Sequence, residues 1–267
     1  MPVSLATWNI NSVRLRMPLV KRFLAAHQPD ILCLQEIKCR NEQFPRRQFI
    51  NAGYPHQAVH GQKGYHGVAI VSKFPLSDIS SRVFCNIPDS RHISAIVDFG
   101  RGPLTVHNFY IPAGGDEPDP ELNWKFRHKL DFLREMHGWF ADPQFRANQI
   151  ICGDFNVAPH ENDVWSHRQL LRIVSHTPVE TELLDTLLNG NHGWVDLVRK
   201  HVPHAQKLYS WWSYRAPDWR AADKGRRLDH IWSTADIAAH CVGAEVFKEF
   251  RGITRRPSDH VPVMVRF

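Results

Sequence analysis

The segment Gln149-Ile150-Ile151-Cys152-Gly153-Asp154-Phe155-Asn156-Val157 constrains the chain most: an apolar run stops at a glycine, then offers an aspartate and an asparagine two residues apart. Side chains two apart on extended backbone share a face, so the run reads as a buried strand whose C-terminal end points two oxygen-bearing groups above the sheet. Hard oxygen ligands placed this way suit a hydrated Mg²⁺ and the phosphate it neutralises. Taken singly, the segment also fits a strand-to-loop turn closed by a capping Asp. The other strands decide between these readings.

Several of them end in the same way. Residues 3–8 form an apolar run leading into Asn9 and Asn11, and residues 30–34 lead into Gln35 and Glu36. Further strands are predicted at 67–72, 93–99, 104–110, 149–152, 228–232 and 261–267. Helices are expected over 16–27 and 121–140, the second with apolar residues at 122, 126, 130, 133 and 136, and with Asp119-Pro120 as its cap and first-turn proline. Residues 162–189 read as short helices broken at His176-Thr177-Pro178. This alternation predicts an α/β sandwich with its site at strand ends.

Length and charge limit the partners. A chain of 267 residues that is 43% hydrophobic can bury one full core, and no Ser/Gly linker divides it, so one domain spanning 1–267 is expected. The net charge of +6 fits a polyanionic partner. Arginines cluster at Arg14/Arg16, Arg46/Arg47, Arg226/Arg227 and Arg255/Arg256, dispersed as a phosphate-lined groove would need. Five cysteines without CxxC spacing indicate neither a disulfide framework nor a structural zinc, and Cys33 and Cys152 read as core residues. The first ten residues lack a signal-peptide pattern and no apolar run approaches membrane-spanning length, so a cytoplasmic protein with no membrane contact is expected, a monomer by default.

Five clusters place oxygen or imidazole side chains at strand ends: Trp8-Asn9-Ile10-Asn11, Leu34-Gln35-Glu36-Ile37-Lys38, Asn108-Phe109-Tyr110-Ile111-Pro112, Gly153-Asp154-Phe155-Asn156, and the pair Arg227-Leu228-Asp229-His230 with Ser258-Asp259-His260. In this order and from about Leu5 to Val265, the chain resembles the exonuclease III family of Mg²⁺-dependent apurinic/apyrimidinic endonucleases, within the endonuclease/exonuclease/phosphatase superfamily.

That resemblance implies a four-layered α/β sandwich, two mixed sheets face to face with helices outside. It implies Glu36 as principal metal ligand, with Asn9, Asn11 and Asp259 near the ion and Asp154 and Asn156 beside it. Asp154 would activate or orient the attacking water, with Asn156 as its transition-state partner. Tyr110 would lie beside the scissile phosphate, and Asp229 would orient the His260 imidazole. The general base stays open among Asp, Tyr and His, as does the choice of one metal ion or two; Mn²⁺ is expected to substitute for Mg²⁺.

In-line hydrolysis of a phosphodiester gathers negative charge on phosphoryl oxygens, so a cation and hydrogen-bond donors must be fixed there beforehand. The aromatic run Tyr209-Ser210-Trp211-Trp212-Ser213-Tyr214-Arg215 resembles the family loop that walls a pocket for an extrahelical abasic sugar, although a buried aromatic cluster is the plainer alternative. Expected DNA contacts are Trp211, Arg215, Arg226 and Leu228 there, Tyr65 in Gly64-Tyr65-His66-Gly67, and Arg14 and Lys38 on phosphates. The substrate implied is double-stranded DNA with abasic sites or blocked 3′ ends, cut 5′ to the lesion, with 3′–5′ exonuclease and 3′-phosphatase activity. The same framework also serves phosphodiesterases of nonspecific DNA, RNA or small phosphate esters, and a noncatalytic DNA-binding module would have lost one of the clustered residues. Two positions depart from the family pattern: Ala113 where an amide is common, and Arg226 where a large apolar residue is.

Overall fold

The computed structural model describes residues 3–99, 102–190, 193–216 and 218–267. Its first sheet contains β1 (Ser4–Asn9), β2 (Ile31–Gln35), β3 (His56–His60), β4 (Val68–Ser72), β13 (Gly243–Val246) and β14 (Val263–Arg266), in the order β13-β14-β1-β2-β4-β3. The second contains β5 (Leu76–Ser80), β6 (His92–Asp98), β7 (Pro103–Tyr110), β8 (Gln149–Asp154), β9 (Trp194–Asp196) and β12 (Asp229–Thr234), in the order β5-β6-β7-β8-β12-β9. A short ribbon pairs β10 (Trp211–Trp212) with β11 (Gly225–Arg226). Helices α1 (Val13–His27) and α2 (Arg46–Asn51) bury their apolar faces on the first sheet, and α3 (Trp124–Phe140) and α5 (Pro178–Asn189) on the second. The shorter α4 (His167–Leu170), α6 (Leu197–His201), α7 (Trp219–Ala222) and α8 (Ala235–Ala238) sit in the connections. This is the expected four-layered sandwich. No described helix is long and apolar enough to cross a membrane.

Between the sheets lies an apolar layer that includes Leu5, Ile31, Cys33, Ile70, Ala95, Val106, Ile150, Cys152, Ile231 and Val263. Each large aliphatic buried here contributes about 1.5–3 kcal/mol. One amide bridge crosses the layer: Gln35 Nε2 donates to Asn108 Oδ1 (2.7 Å) and to Thr7 Oγ1 (2.9 Å), while Asn108 Nδ2 donates to the carbonyls of Leu34 and Ala69. A net hydrogen bond is worth only about 1 kcal/mol, so the apolar layer holds the sheets together and the amides fix their relative position.

Several boundaries differ from the sequence expectation. Helix α3 begins at Trp124 rather than 121: Asp119 Oδ1 accepts from Glu121 N (2.8 Å) in a turn, and Asn123 is the true cap, accepting from Lys125 N. Asp119-Pro120 therefore builds the turn before the helix, and Leu122 is exposed. Helix α1 starts three residues early, at Val13, and departs from helical geometry at Arg16 (φ −107°, ψ 15°) ahead of Pro18. Strand β8 continues to Asp154, β12 spans Asp229–Thr234, and β14 starts only at Val263 because the Val261 amide donates to the Ser210 carbonyl instead. The groove reading of the arginines fails at two positions. Arg16 is buried with Nη2 on the Tyr214 hydroxyl, and Arg227 is buried on Asp163 and Asp196.

Candidate active site

The register sets the centre. Asp154 ends β8, lies opposite Asp229 at the start of antiparallel β12, and sits beside Tyr110 at the end of parallel β7. From the facing sheet, β1 ends at Asn9 opposite Gln35, and Glu36 follows β2 directly. Five non-glycine residues around this edge adopt left-handed backbone: Asn11 (φ 46°), Ser12 (86°), Glu36 (48°), Lys38 (51°) and Asn156 (55°). Such conformations cost on the order of 1–3 kcal/mol each and persist where neighbours hold them. Gly153 (φ 137°) has no alternative, since a Cβ there would collide with the Phe109 carbonyl.

Hydrogen bonds draw the two sheets' side chains into one set. Asn9 Nδ2 donates to Glu36 Oε1 (2.9 Å) and to Asp154 Oδ2 (2.8 Å). Asn9 thus ties two carboxylates together through its N–H₂ rather than offering them an oxygen. Asn156 donates its backbone N–H to Asp154 Oδ1 (3.0 Å) and its side-chain Nδ2 to the Ile111 carbonyl (2.9 Å). His260 Nδ1 lies 2.8 Å from Asp229 Oδ2, and its Nε2 faces Asp154 Oδ2 at 3.6 Å. The imidazole is held by its own backbone too: Trp8 Nε1 donates to the His260 carbonyl, and Ser258 Oγ accepts from His260 N. Ser210 Oγ accepts from the amides of Leu228 and Asp229, fixing the start of β12.

Electrostatics divide these groups into two kinds. Burial alone would discharge His260, but Asp229 and then Asp154 outweigh it and push its pKa up to about 10. Burial raises Asp154 to about 7, although His260 opposes the rise. Burial also acts upward on Glu36, yet the Lys38 ammonium prevails and keeps its carboxyl below the usual range. Burial, then Glu36 and Asp154, push the Tyr110 phenol well above its ordinary value, so it stays a neutral donor.

Asp154, Asp229 and His260 bring ligand atoms within 4.8 Å of one another, close enough to share an ion. A protonated imidazole opposes a cation there, whereas the neighbouring oxygens favour one. Lys38 Nζ already sits 2.8 Å from Glu36 Oε2 and 2.7 Å from Asn11 Oδ1, so a carboxylate and an amide oxygen converge on one positive atom. This donor set fits a hard divalent cation. Asn11 Nδ2 also donates to Asp259 Oδ1 (3.1 Å), bringing a second carboxylate to the rim.

The centre opens into a cleft of about 950 Å³, walled by Trp165, Trp211, Trp212 and Trp219 and by Arg215, Lys224 and Arg226. Residues 6–260 match the model of the Endonuclease/Exonuclease/phosphatase family. The chain belongs to this family. It is 32% identical to exodeoxyribonuclease III of Haemophilus influenzae, with 98% of each chain covered. Among solved structures it superposes on an AP endonuclease from Archaeoglobus fulgidus with a TM-score of 0.88 at 32% identity, covering 98% of both chains. It also superposes on the 3′ phosphatase NExo from Neisseria bound to a product DNA hairpin, with a TM-score of 0.89 at 31% identity and 99% of each chain. Within this family, the full-length likeness to exodeoxyribonuclease III marks the chain as a phosphodiester-hydrolysing nuclease of the DNA-repair type.

Within this family member the expected DNA contacts separate. Trp211 stands half-buried in the cleft wall, its Nε1 donating to Asp259 Oδ2 (3.0 Å) and its ring under the Arg226 guanidinium at 5.3 Å. Arg226 itself is committed to the Val174 carbonyl (2.9 Å) and Ser175 Oγ (2.7 Å), so it is held against the Trp211 ring. Leu228 is buried with Ala158, Val164 and Leu170 at the cleft floor. Arg215 is exposed at the cleft, Arg14 is exposed on the first turn of α1, and Tyr65 is 73% exposed near Lys38. Lys38 faces Glu36 and Asn11 rather than open solvent. Half of the aromatic run is core: Tyr209 and Trp212 pack on Val261, as the plainer alternative held. Sequence reasoning missed Trp165 and Lys224, which lie in loops, and Trp219, which opens the four-residue helix α7, a segment too short to give a periodic signal.

Proposed function

We propose that the chain hydrolyses the phosphodiester 5′ to an abasic site in duplex DNA, with Mg²⁺ as its cation, and that the same centre trims 3′ ends. The whole chain would act as one catalytic unit and as a monomer. The observation that carries this is the buried Asp229–His260–Asp154 line opening directly into the tryptophan-walled cleft. A flipped sugar without a base is cheap to extrude, and half-buried Trp211 over Leu228 offers it an apolar seat beside the carboxylates.

Glu36 and Asn11 would hold the cation, with Asp259, Asp154 and Asn156 around it; when bound, Mg²⁺ supplies Lewis acidity and neutralises phosphoryl charge. His260, kept protonated by Asp229, donates from Nε2 to a phosphoryl oxygen. Asp154, raised by burial, accepts the proton of the attacking water at an oxygen that Asn9 and Asn156 orient. Tyr110 donates to the phosphate from its neutral hydroxyl. On duplexes carrying a single abasic analogue, cutting at the analogue and none at the matched position of intact DNA is expected. Equal cutting of both would leave only a general phosphodiesterase.

The competent form needs Asp154 ionised and His260 charged. The rate should therefore rise with pH as Asp154 loses its proton, and fall again near pH 10 as His260 does. In Asp229→Asn the residual activity should lose its alkaline limb earlier, displaced toward neutral pH by roughly 1–3 pH units. A single-limbed profile, or an unmoved alkaline limb in that variant, would contradict the assignment.

A further inference from the structure

One buried ion pair outside the catalytic cluster touches it from below. Lys129 on α3 and Glu180 on α5 are both fully buried and paired through Nζ and Oε1. Lys129 Nζ donates to the carbonyl of Asn156 (2.7 Å) and reaches that of Ala113 (3.4 Å). Glu180 gathers the other side: its oxygens accept from Ser175 N (2.9 Å), Thr177 N (3.1 Å) and Thr177 Oγ1 (2.7 Å). Ser175 and Val174 in turn hold Arg226, which braces Trp211.

An ion pair is a poor way to stabilise a core, since an apolar pair of similar volume does as well or better. Its geometry here has another consequence. Asn156 stands in left-handed backbone, and its N–H is the donor that orients Asp154. A carbonyl held by a buried ammonium resists the rotation that would relax this residue. We propose that Lys129 is a positioning residue for the reaction, fixing the Asn156 turn, and that Glu180 both anchors Lys129 and sets the 174–177 turn behind Trp211. This rests on the phosphodiester-hydrolase reading above, with Asp154 at its centre.

The Lys129 half of the proposal acts on kcat, and the Glu180 half acts on KM as well, through the wall that Arg226 and Trp211 form. In the double variant Lys129→Met/Glu180→Gln neither member of the pair is left as a lone buried charge, and the introduced glutamine amide keeps an acceptor for the backbone N–H groups of Ser175 and Thr177. It should unfold cooperatively like wild type, with kcat on an abasic duplex reduced by about 10- to 100-fold, as for a misplaced reacting group. KM and DNA affinity should stay within about threefold, because the Trp211 wall is retained. Glu180→Asp keeps both charges paired but draws the carboxylate back from Lys129 and from the 174–177 turn, and should lower kcat by a smaller factor while raising KM.

Hydrogen exchange provides a readout that does not need the reaction. Exchange at the Asn156 amide should accelerate at least about tenfold in either variant, while the amides of Ile150 and Ile151 stay protected. Unchanged exchange at Asn156 in a folded variant overturns the proposal whatever the substrate. Unchanged kcat beside an active wild type overturns it as well, and a wild type that cuts no abasic DNA refutes the function reading alone, leaving exchange to decide on Lys129.

Discussion

Replacing His260 with alanine, or Asp154 or Asp229 with asparagine, is expected to lower turnover on abasic DNA by roughly 10²–10³-fold each, with affinity for the duplex falling far less. All three side chains are buried; Asp154 and His260 line the cleft and Asp229 lies behind the His260 ring. Their interactions strengthen as charge develops on the phosphoryl oxygens and are weaker in the ground state. Losing one such preorganised group therefore acts on kcat. Asp229→Asn removes the charge that keeps His260 protonated while leaving the backbone of β12 pinned by Ser210. Single-turnover rates and equilibrium binding, measured on the same variants, separate the two effects. A variant keeping more than half of wild-type turnover would remove its residue from the set.

Arg227→Met should destabilise the fold by about 3–5 kcal/mol, lowering Tm by roughly 6–20 °C. Arg227 Nη1 donates to Asp196 Oδ2 (2.6 Å) and Nη2 to Asp163 Oδ2 (3.0 Å), and the three side chains are almost wholly inaccessible. Asp196 also caps α6, accepting from the amides of Val198 and Arg199. Removing the guanidinium leaves Asp196 without its charged partner and Asp163 with Arg199 alone. DNA affinity of the folded fraction should stay close to wild type, because Arg227 faces the interior. Thermal unfolding with parallel binding measurements checks both halves. A stable variant with weakened DNA binding would return Arg227 to the groove.

This contrast shows where the sequence is legible. Central strands such as β1, β2, β7 and β8 announce themselves because both faces are buried, so an abrupt polar residue at the end has to face a site. Asn9, Glu36, Tyr110, Asp154 and Asp229 converge for that reason, and His260 joins them from the connection before β14. Edge strands His56–His60 and Leu76–Ser80 carry polar, partly exposed residues and give no such signal. Arginines are ambiguous in sequence because a guanidinium suits a phosphate and a buried carboxylate equally well. Arg226 and Arg227 are adjacent, yet one lines the cleft wall and the other lies in the interior. Lys129 and Glu180 lie far apart in sequence on two amphipathic helices, where only tertiary packing reveals that they meet beneath Asn156. Asp119-Pro120 misleads because a turn and a helix start use the same residues, and Asn123, which also donates to the Gly114 and Glu117 carbonyls, wins the cap.

The central claim is hydrolysis at an abasic site by a cation-dependent centre, and the ends of the products test it most directly. A duplex with one natural abasic site and a labelled strand, incubated with the protein and Mg²⁺, should yield a 3′-hydroxyl fragment and a 5′-deoxyribose-phosphate fragment. Excess EDTA should abolish the cut and added Mn²⁺ or Mg²⁺ should restore it. Full cutting in EDTA, or a 3′-unsaturated aldehyde end from elimination on the other side of the lesion, would contradict the account.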